Sequence, residues 1–98
     1  MMFTKRLRAR IVSGEIDCTI RIWQSPHVKV GGRYPLPNPE TGGGHVVVEK
    51  IREISLSDVT PQLARRSGFE GVVDLLKVAK HGPGTHVYLI DFHYEDAA

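Results

Sequence analysis

The sequence contains one cysteine, few aromatic residues and no long apolar run. A single cysteine, Cys18, excludes an internal disulfide, so we expect a protein of a reducing, cytoplasmic compartment with Cys18 buried as a small apolar residue. The longest apolar runs are far shorter than the about 20 residues of a membrane-spanning helix. Residues 1–6 carry charge with no apolar stretch behind them, which differs from a secretion signal. We therefore expect no membrane partner.

The sequence also lacks a recognisable pattern of metal ligands and a recognisable cofactor motif. The chain has five histidines and one cysteine, but no pair of them has the spacing of a helical or knuckle-type zinc site. The glycine triplet at 42–44 is followed neither by Lys-Ser or Lys-Thr nor by a helix start, so it does not match a phosphate-binding loop. The sequence thus predicts no metal ion and no cofactor.

Length and charge are compatible with one small domain that carries an uneven charge distribution. The 98 residues, 41% of them hydrophobic, can form one core, which predicts a single domain over residues 1–98. Residues 1–33 contain seven basic and two acidic residues, a net charge of +5, whereas the other 65 contain six basic and nine acidic residues, a net charge of −3. A basic N-terminal third can attract a polyanion; the alternative is an ordinary solvated helix face.

An amphipathic helix is predicted over residues 3–13. Phe3, Leu7 and Ile11 recur every four residues and form one apolar stripe, and Gly14 stands where a helix end is expected. Basic residues cover much of the remaining helix surface, which is a modest indication of nucleic-acid binding.

Two further helices are predicted in the second half of the chain. Thr60 followed by Pro61 is a favoured helix start, because threonine caps the first turn and proline fits the first helical position. This helix is expected to end at Gly68. Apolar spacing predicts another helix over 70–80.

The remaining regular segments are predicted to be strands. They cover 18–23, 28–36, 45–54 and 86–94, and the apolar alternation of the third slips near positions 49–50, as a β-bulge would require. The last strand is apolar on both faces, so we expect it in the sheet centre. The order of helix, strands, helix pair and final strand favours an α+β fold, a small mixed β-barrel flanked by short helices.

The strand at 18–23 carries the most informative row of side chains. Because side chains alternate along a strand, its cysteine and two isoleucines face the core, whereas Thr19, Arg21 and Trp23 share the other face. A guanidinium provides hydrogen-bond donors for phosphate, and an indole provides a stacking surface, so this row suits a nucleotide or RNA. The alternative is that Arg21 stacks on Trp23 at the outside of the sheet and binds no ligand.

Four motifs together resemble a known family. They are Thr19-Ile20-Arg21, Lys29-Val30-Gly31-Gly32-Arg33-Tyr34, Gly68-Phe69 and Val87-Tyr88-Leu89-Ile90-Asp91-Phe92. In order and spacing they resemble an ASCH domain of the PUA-like superfamily, over about residues 3–94. The resemblance implies a PUA-like barrel whose cleft, between barrel and helices, recognises RNA or a nucleotide. Together, the strand row and the resemblance give the predicted ligand-binding residues Thr19, Arg21, Trp23, Lys29, Arg33, Ser67, Lys80 and His81.

One ASCH branch implies a hydrolase of acetylated cytidine nucleosides. That branch pairs a threonine nucleophile, which matches Thr19, with a lysine three residues earlier and a glutamate of the helix region. The lysine position is Ile16 here and the glutamate position is Ser67, so two of the three groups are replaced. We therefore predict an RNA- or nucleotide-binding protein in which Thr19 is a hydrogen-bonding residue. The alternatives are a hydrolase that uses Thr19 with another base, on a modified nucleoside or on RNA, and a protein-interaction module that uses the basic residues at 5–10.

Overall fold

The structure is a computed structural model that describes residues 3–36, 42–79 and 84–96. Its elements, in chain order, are helix α1 (Lys5–Val12), strands β1 (Cys18–Trp23), β2 (Arg33–Pro35) and β3 (His45–Ile54), a short 3₁₀ helix (Leu56–Asp58), helices α2 (Pro61–Arg66) and α3 (Val72–Ala79), and strand β4 (His86–Glu95).

The four strands form one curled half-barrel sheet in the order β1-β4-β3-β2. The predicted α+β class and the central position of the last strand are confirmed. The sheet differs from the mixed barrel that we predicted, because every strand pair in the described residues is antiparallel. The reason lies in the connection between β3 and β4: the 3₁₀ helix, α2 and α3 bring the chain back to the end of the sheet that it left, so β4 runs opposite to β3.

A bulge interrupts the longest strand pair at the predicted place. Val48 pairs with Phe92 and Lys50 pairs with Asp91, so Glu49 is an extra residue on β3. A bulge of this kind adds local twist and bends the strand. The slip in the apolar alternation at 49–50 was therefore a correct indication of where the sheet curls.

The helices cover both faces of the sheet. One face, which we call the α2/α3 face, packs Cys18, Ile20 and Ile22 with Val87 and Leu89 against α2 and α3. The opposite face, called the α1 face, carries Ile90 and Phe92, and the apolar stripe of α1 lies on it. The ring centroids of Phe3 and Phe92 are 5.5 Å apart there. Burial of apolar area on both faces contributes most of the favourable free energy of folding.

Some helix ends lie where the sequence predicts them, and one lies elsewhere. Thr60 caps α2 as predicted, since its hydroxyl oxygen accepts a hydrogen bond from the Leu63 amide at 3.2 Å. Gly14 and Gly68 both have positive φ, +84° and +100°, just beyond the ends of α1 and α2. Helix α3 begins at Val72 instead of residue 70, because the chain must first leave the tight turn at Gly68.

No helix within the described ranges is long and apolar enough to cross a membrane.

Candidate ligand-binding cleft

A cleft of about 550 Å³ opens between the α1 face of the sheet, helix α1 and the α2/α3 region. Its volume lies in the range of small-molecule sites, which are mostly apolar with a few polar groups. Strand β1 contributes the row Thr19, Arg21 and Trp23, and the cleft is also lined by Phe3, Thr4, Leu7, Ile20, His27, Phe69, Val78 and Ala79.

The polar centre of the cleft is the pair Thr19 and Arg21. The two residues are neighbours on one strand face, and the Arg21 Nε–H donates a hydrogen bond of 3.1 Å to the Thr19 hydroxyl oxygen. Burial lowers the pKa of Arg21 to about 10, because desolvation disfavours the charged guanidinium. The side chain stays protonated at neutral pH. It thus places a cation and directed hydrogen-bond donors in an apolar surrounding.

Arg21 stacks on the ring of Phe3, which lies just before the start of α1. The guanidinium carbon of Arg21 lies 5.1 Å from the centroid of the Phe3 ring, within the range of a cation–π contact. The alternative interpretation places Arg21 on Trp23 at the outside of the sheet, whereas the structure buries Trp23 and gives Arg21 a contact with Phe3. Phe3 is the first residue of the apolar stripe of α1, so the packing of this helix on the sheet also orients the cation of the cleft.

Trp23 is buried, and its exposed neighbour in the cleft is His27. Only 4% of Trp23 is exposed, and its indole packs with Val28, Val48, Tyr88 and Ile90. The His27 imidazole lies nearly parallel to the indole, with ring centroids 4.4 Å apart and an angle of 14° between the planes. His27 itself is exposed. Trp23 therefore supports a ring that is accessible to solvent.

One basic residue of α1, Arg6, lies beside a wall of the cleft. The guanidinium carbon of Arg6 lies 6.0 Å from the centroid of the Phe69 ring, which lines the cleft. Arg10 instead forms an ion pair of 2.9 Å with Glu15, and Arg8 is half-buried. Of these three basic residues, Arg6 is the one with a contact to the cleft wall.

The predicted binding residues Lys29 and Arg33 do not line the cleft. The Lys29 amide donates to the Tyr34 hydroxyl at 2.9 Å, and Arg33 forms an ion pair of 3.2 Å with Glu95. Lys29 lies in the segment that leads into β2, and Arg33 is the first residue of β2, which pairs with β3 at the edge opposite β1. Along the sheet, β2 is three strand spacings from β1, about 14 Å.

Ile16 and Ser67, which replace the two catalytic positions implied by the resemblance, are both buried. Ile16 is 2% exposed and packs in the core with α1. Ser67 is also 2% exposed. Its hydroxyl donates a hydrogen bond of 2.9 Å to the Ala64 carbonyl oxygen near the C-terminal end of α2. Ser67 does not line the cleft. Lys80 and His81, the last two predicted binding residues, lie outside the described residues.

Phe3, Phe69 and His27 line the cleft, although no sequence pattern assigned them to a binding site. Phe3 was seen only as part of the apolar stripe of α1, and Phe69 only as part of a motif. Their place in the cleft follows from the packing of α1 and the α2–α3 turn on β1, which sequence spacing does not encode. For His27, its position directly between Pro26 and the buried Val28 was the available sign of a fixed turn.

Other polar clusters lie apart from the cleft. A second cavity of about 570 Å³ is lined partly by Glu53 and His86, which hydrogen-bond to each other at 3.1 Å. His93 bonds to both Glu49 and Glu95 at 3.0 Å. Within the described part of the chain, no group of three or more His, Cys, Asp or Glu residues is arranged to hold a metal ion.

Comparison of the chain with protein-family models, with curated proteins and with solved structures found no match. The resemblance to ASCH domains therefore rests on the four motifs themselves, and the cleft has to be interpreted from its own geometry.

Proposed function

We propose that the protein is an RNA- or nucleotide-binding domain of the ASCH, PUA-like type, and that the cleft beside β1 receives one nucleotide unit. The observation that carries this proposal is the convergence of Thr19 and Arg21 with aromatic side chains in a single cleft of about 550 Å³. A nucleobase needs an apolar slot for its faces and hydrogen-bonding groups for its edge. The residues that line the cleft meet both requirements.

The walls of the cleft supply the apolar part. Phe3 and Phe69 come from the α1 side and the α2–α3 turn, and His27 comes from the turn after β1. Contact of a base with aromatic side chains is worth about 1–3 kcal/mol per base and depends little on the base sequence. Walls of this composition favour a flat heterocycle over a sugar or an amino acid.

Thr19 and Arg21, the polar centre of the cleft, supply directional hydrogen bonds. Arg21 and Thr19 can donate to and accept from the carbonyl and amino groups of a base edge, or Arg21 can contact a phosphate. Arg6 at the rim adds positive charge on the side of the cleft where α1 lies. A nucleotide that is part of an RNA strand would extend past this rim.

A thermal-shift screen of the purified protein tests the proposal. The ligands are ribonucleosides including acetylcytidine, ribonucleotides and short single-stranded RNAs. A ligand that binds only the folded state at 100 times its Kd stabilises the protein by about 2.7 kcal/mol, so we expect a concentration-dependent rise of the melting midpoint.

Arg21→Met removes the guanidinium but keeps an unbranched apolar chain beside Phe3, and we expect it to abolish the shift. Arg65→Met is the matched control, because Arg65 is exposed on α2 and does not line the cleft. Equal ligand shifts in both variants would refute the assignment of the site. The absence of a shift with every nucleic-acid ligand would refute the function and would favour a protein partner.

A further inference from the structure

We propose that His27, and not Trp23, is the residue on which the ring of the ligand packs. This inference deepens the proposed function and rests on it, since it concerns the same cleft. It starts from a difference in exposure between two stacked rings: Trp23 is 4% exposed and His27 is exposed, although both line the cleft.

The indole of Trp23 already has partners in the folded protein. His27 lies parallel to it at 4.4 Å, and Tyr88 lies at 6.2 Å with an angle of 40° between the planes. A ligand that used a face of Trp23 would have to displace His27 or unpack the core below. A ligand that packs against His27 needs neither change.

His27 is held in place by its neighbours in the chain. Pro26 fixes its own φ before it, and Val28 after it is buried in the cluster of Trp23, Val48, Tyr88 and Ile90. The parallel contact with the indole restricts the imidazole plane further. A ring that is fixed before binding loses little side-chain entropy on binding, which favours affinity.

His27 and Trp23 thus form a two-ring stack at one wall of the cleft, with Phe3 and Phe69 on the side of the helices. The pair predicts a preference for a planar heterocycle and places the ring contact apart from the hydrogen-bonding pair Thr19 and Arg21. Ring packing and polar contacts can then be removed separately by substitution.

The experiment is a calorimetric titration of the full chain with adenosine monophosphate and with phosphorylated ribose, which lacks the base. We expect His27→Ala to weaken binding of adenosine monophosphate by about 5- to 150-fold, equivalent to about 1–3 kcal/mol, and to change binding of phosphorylated ribose much less. His27→Phe, which restores a flat ring, should recover most of the affinity. Gln24→Ala is the control, because Gln24 is exposed in the same turn and does not line the cleft.

Fluorescence gives an independent measure, because Trp23 is the single tryptophan of the chain. His27→Ala should shift the emission of the free protein to longer wavelength, since water reaches the indole face that the imidazole covers; Gln24→Ala should not. An unchanged emission in His27→Ala would overturn the stacked arrangement.

The titration separates this inference from the proposed function. If adenosine monophosphate binds the wild-type protein and His27→Ala equally well, or if His27→Ala weakens both ligands equally, His27 is not the ring contact, while the proposed function stands. If neither adenosine monophosphate nor any ligand of the thermal-shift screen binds the wild-type protein, both proposals are wrong.

Discussion

Gly68 is predicted to be a glycine at which a single added methyl group destabilises the protein for two separable reasons. Its φ is +100°, and a Cβ built on it would lie 2.7 Å from Ile16 Cδ1 and 2.7 Å from Leu7 Cδ2. Both neighbours belong to the core beneath α1, and Leu7 also lines the cleft. The turn at Gly68 therefore holds the helix that forms one wall of the site.

The expected loss of stability in Gly68→Ala is the sum of a backbone cost and a packing cost. A left-handed backbone costs a non-glycine residue about 1–2 kcal/mol, and an extra carbon in a packed core costs about 1–3 kcal/mol. Gly68→Ala should therefore destabilise the protein by about 2–5 kcal/mol. A free energy of unfolding of about 5–15 kcal/mol is typical of a whole domain, so this loss is a large fraction of it.

Two other glycines provide matched controls. Gly14 has φ +84° and nothing within 4 Å of a built Cβ, so Gly14→Ala measures the backbone term alone, about 1–2 kcal/mol. Gly71 has an open surrounding and no positive φ, so Gly71→Ala should be neutral or stabilising by about 0.4–1 kcal/mol, since alanine restricts the unfolded chain.

Urea unfolding followed by circular dichroism measures all three variants, and thermal unfolding provides a second measure. A loss of about 1 kcal/mol lowers the melting midpoint of a domain of this size by about 4–8 °C, so Gly68→Ala should lower it by at least about 8 °C. Equal losses for Gly68→Ala and Gly14→Ala would show that Leu7 and Ile16 do not crowd the turn, and the described packing of α1 would then be wrong.

Three further predictions concern protonation and chemistry. Burial raises the pKa of the Cys18 thiol to about 11, so native protein at pH 8 should react with iodoacetamide far more slowly than urea-unfolded protein, as mass spectrometry would show; equal rates would contradict the burial of Cys18. Hydrogen bonds to Glu95 and Glu49 raise the pKa of His93 above its ordinary value of 6.5. The contribution of His93 to the free energy of unfolding should therefore be fully present below pH 6.5 and should be lost as the pH rises through the pKa of the folded state. The difference in urea midpoint between wild type and His93→Gln should shrink over that interval, and a constant difference would refute the linkage. Finally, Thr19 lacks the lysine and glutamate that the resemblance pairs with it, so prolonged incubation of concentrated protein with acetylcytidine should release no acetate above the level of Thr19→Val.

Local features of the fold could be predicted from neighbouring residues. The cap at Thr60, the positive φ of Gly14 and the slip in β3 near residue 49 all depend on interactions within a few positions of the chain. Strand alternation likewise separated the two faces of β1 correctly. Such features are predictable because a cap, a turn or a strand face imposes its requirement on nearby residue types.

The candidate site was predicted only in the part that lies on one strand. Thr19 and Arg21 share a face of β1 by alternation, and they do lie together in the cleft. Lys29 and Arg33 were assigned to the same site because the resemblance implies that their segment borders the cleft. The strand order puts β2 at the far edge of the sheet instead, which no local pattern specifies.

The amino-acid sequence by itself determined most of the helix and strand segments and the two faces of β1, because these follow from side-chain period and turn chemistry. The strand predicted over 28–36 is an exception, since only Arg33–Pro35 is a strand there. Only the tertiary structure decided that the sheet is antiparallel, that Phe3 lies over Arg21, and that His27 covers the indole of Trp23. These relations join residues from separate elements or across a turn. They depend on how whole elements pack together, which residue spacing within one element does not contain.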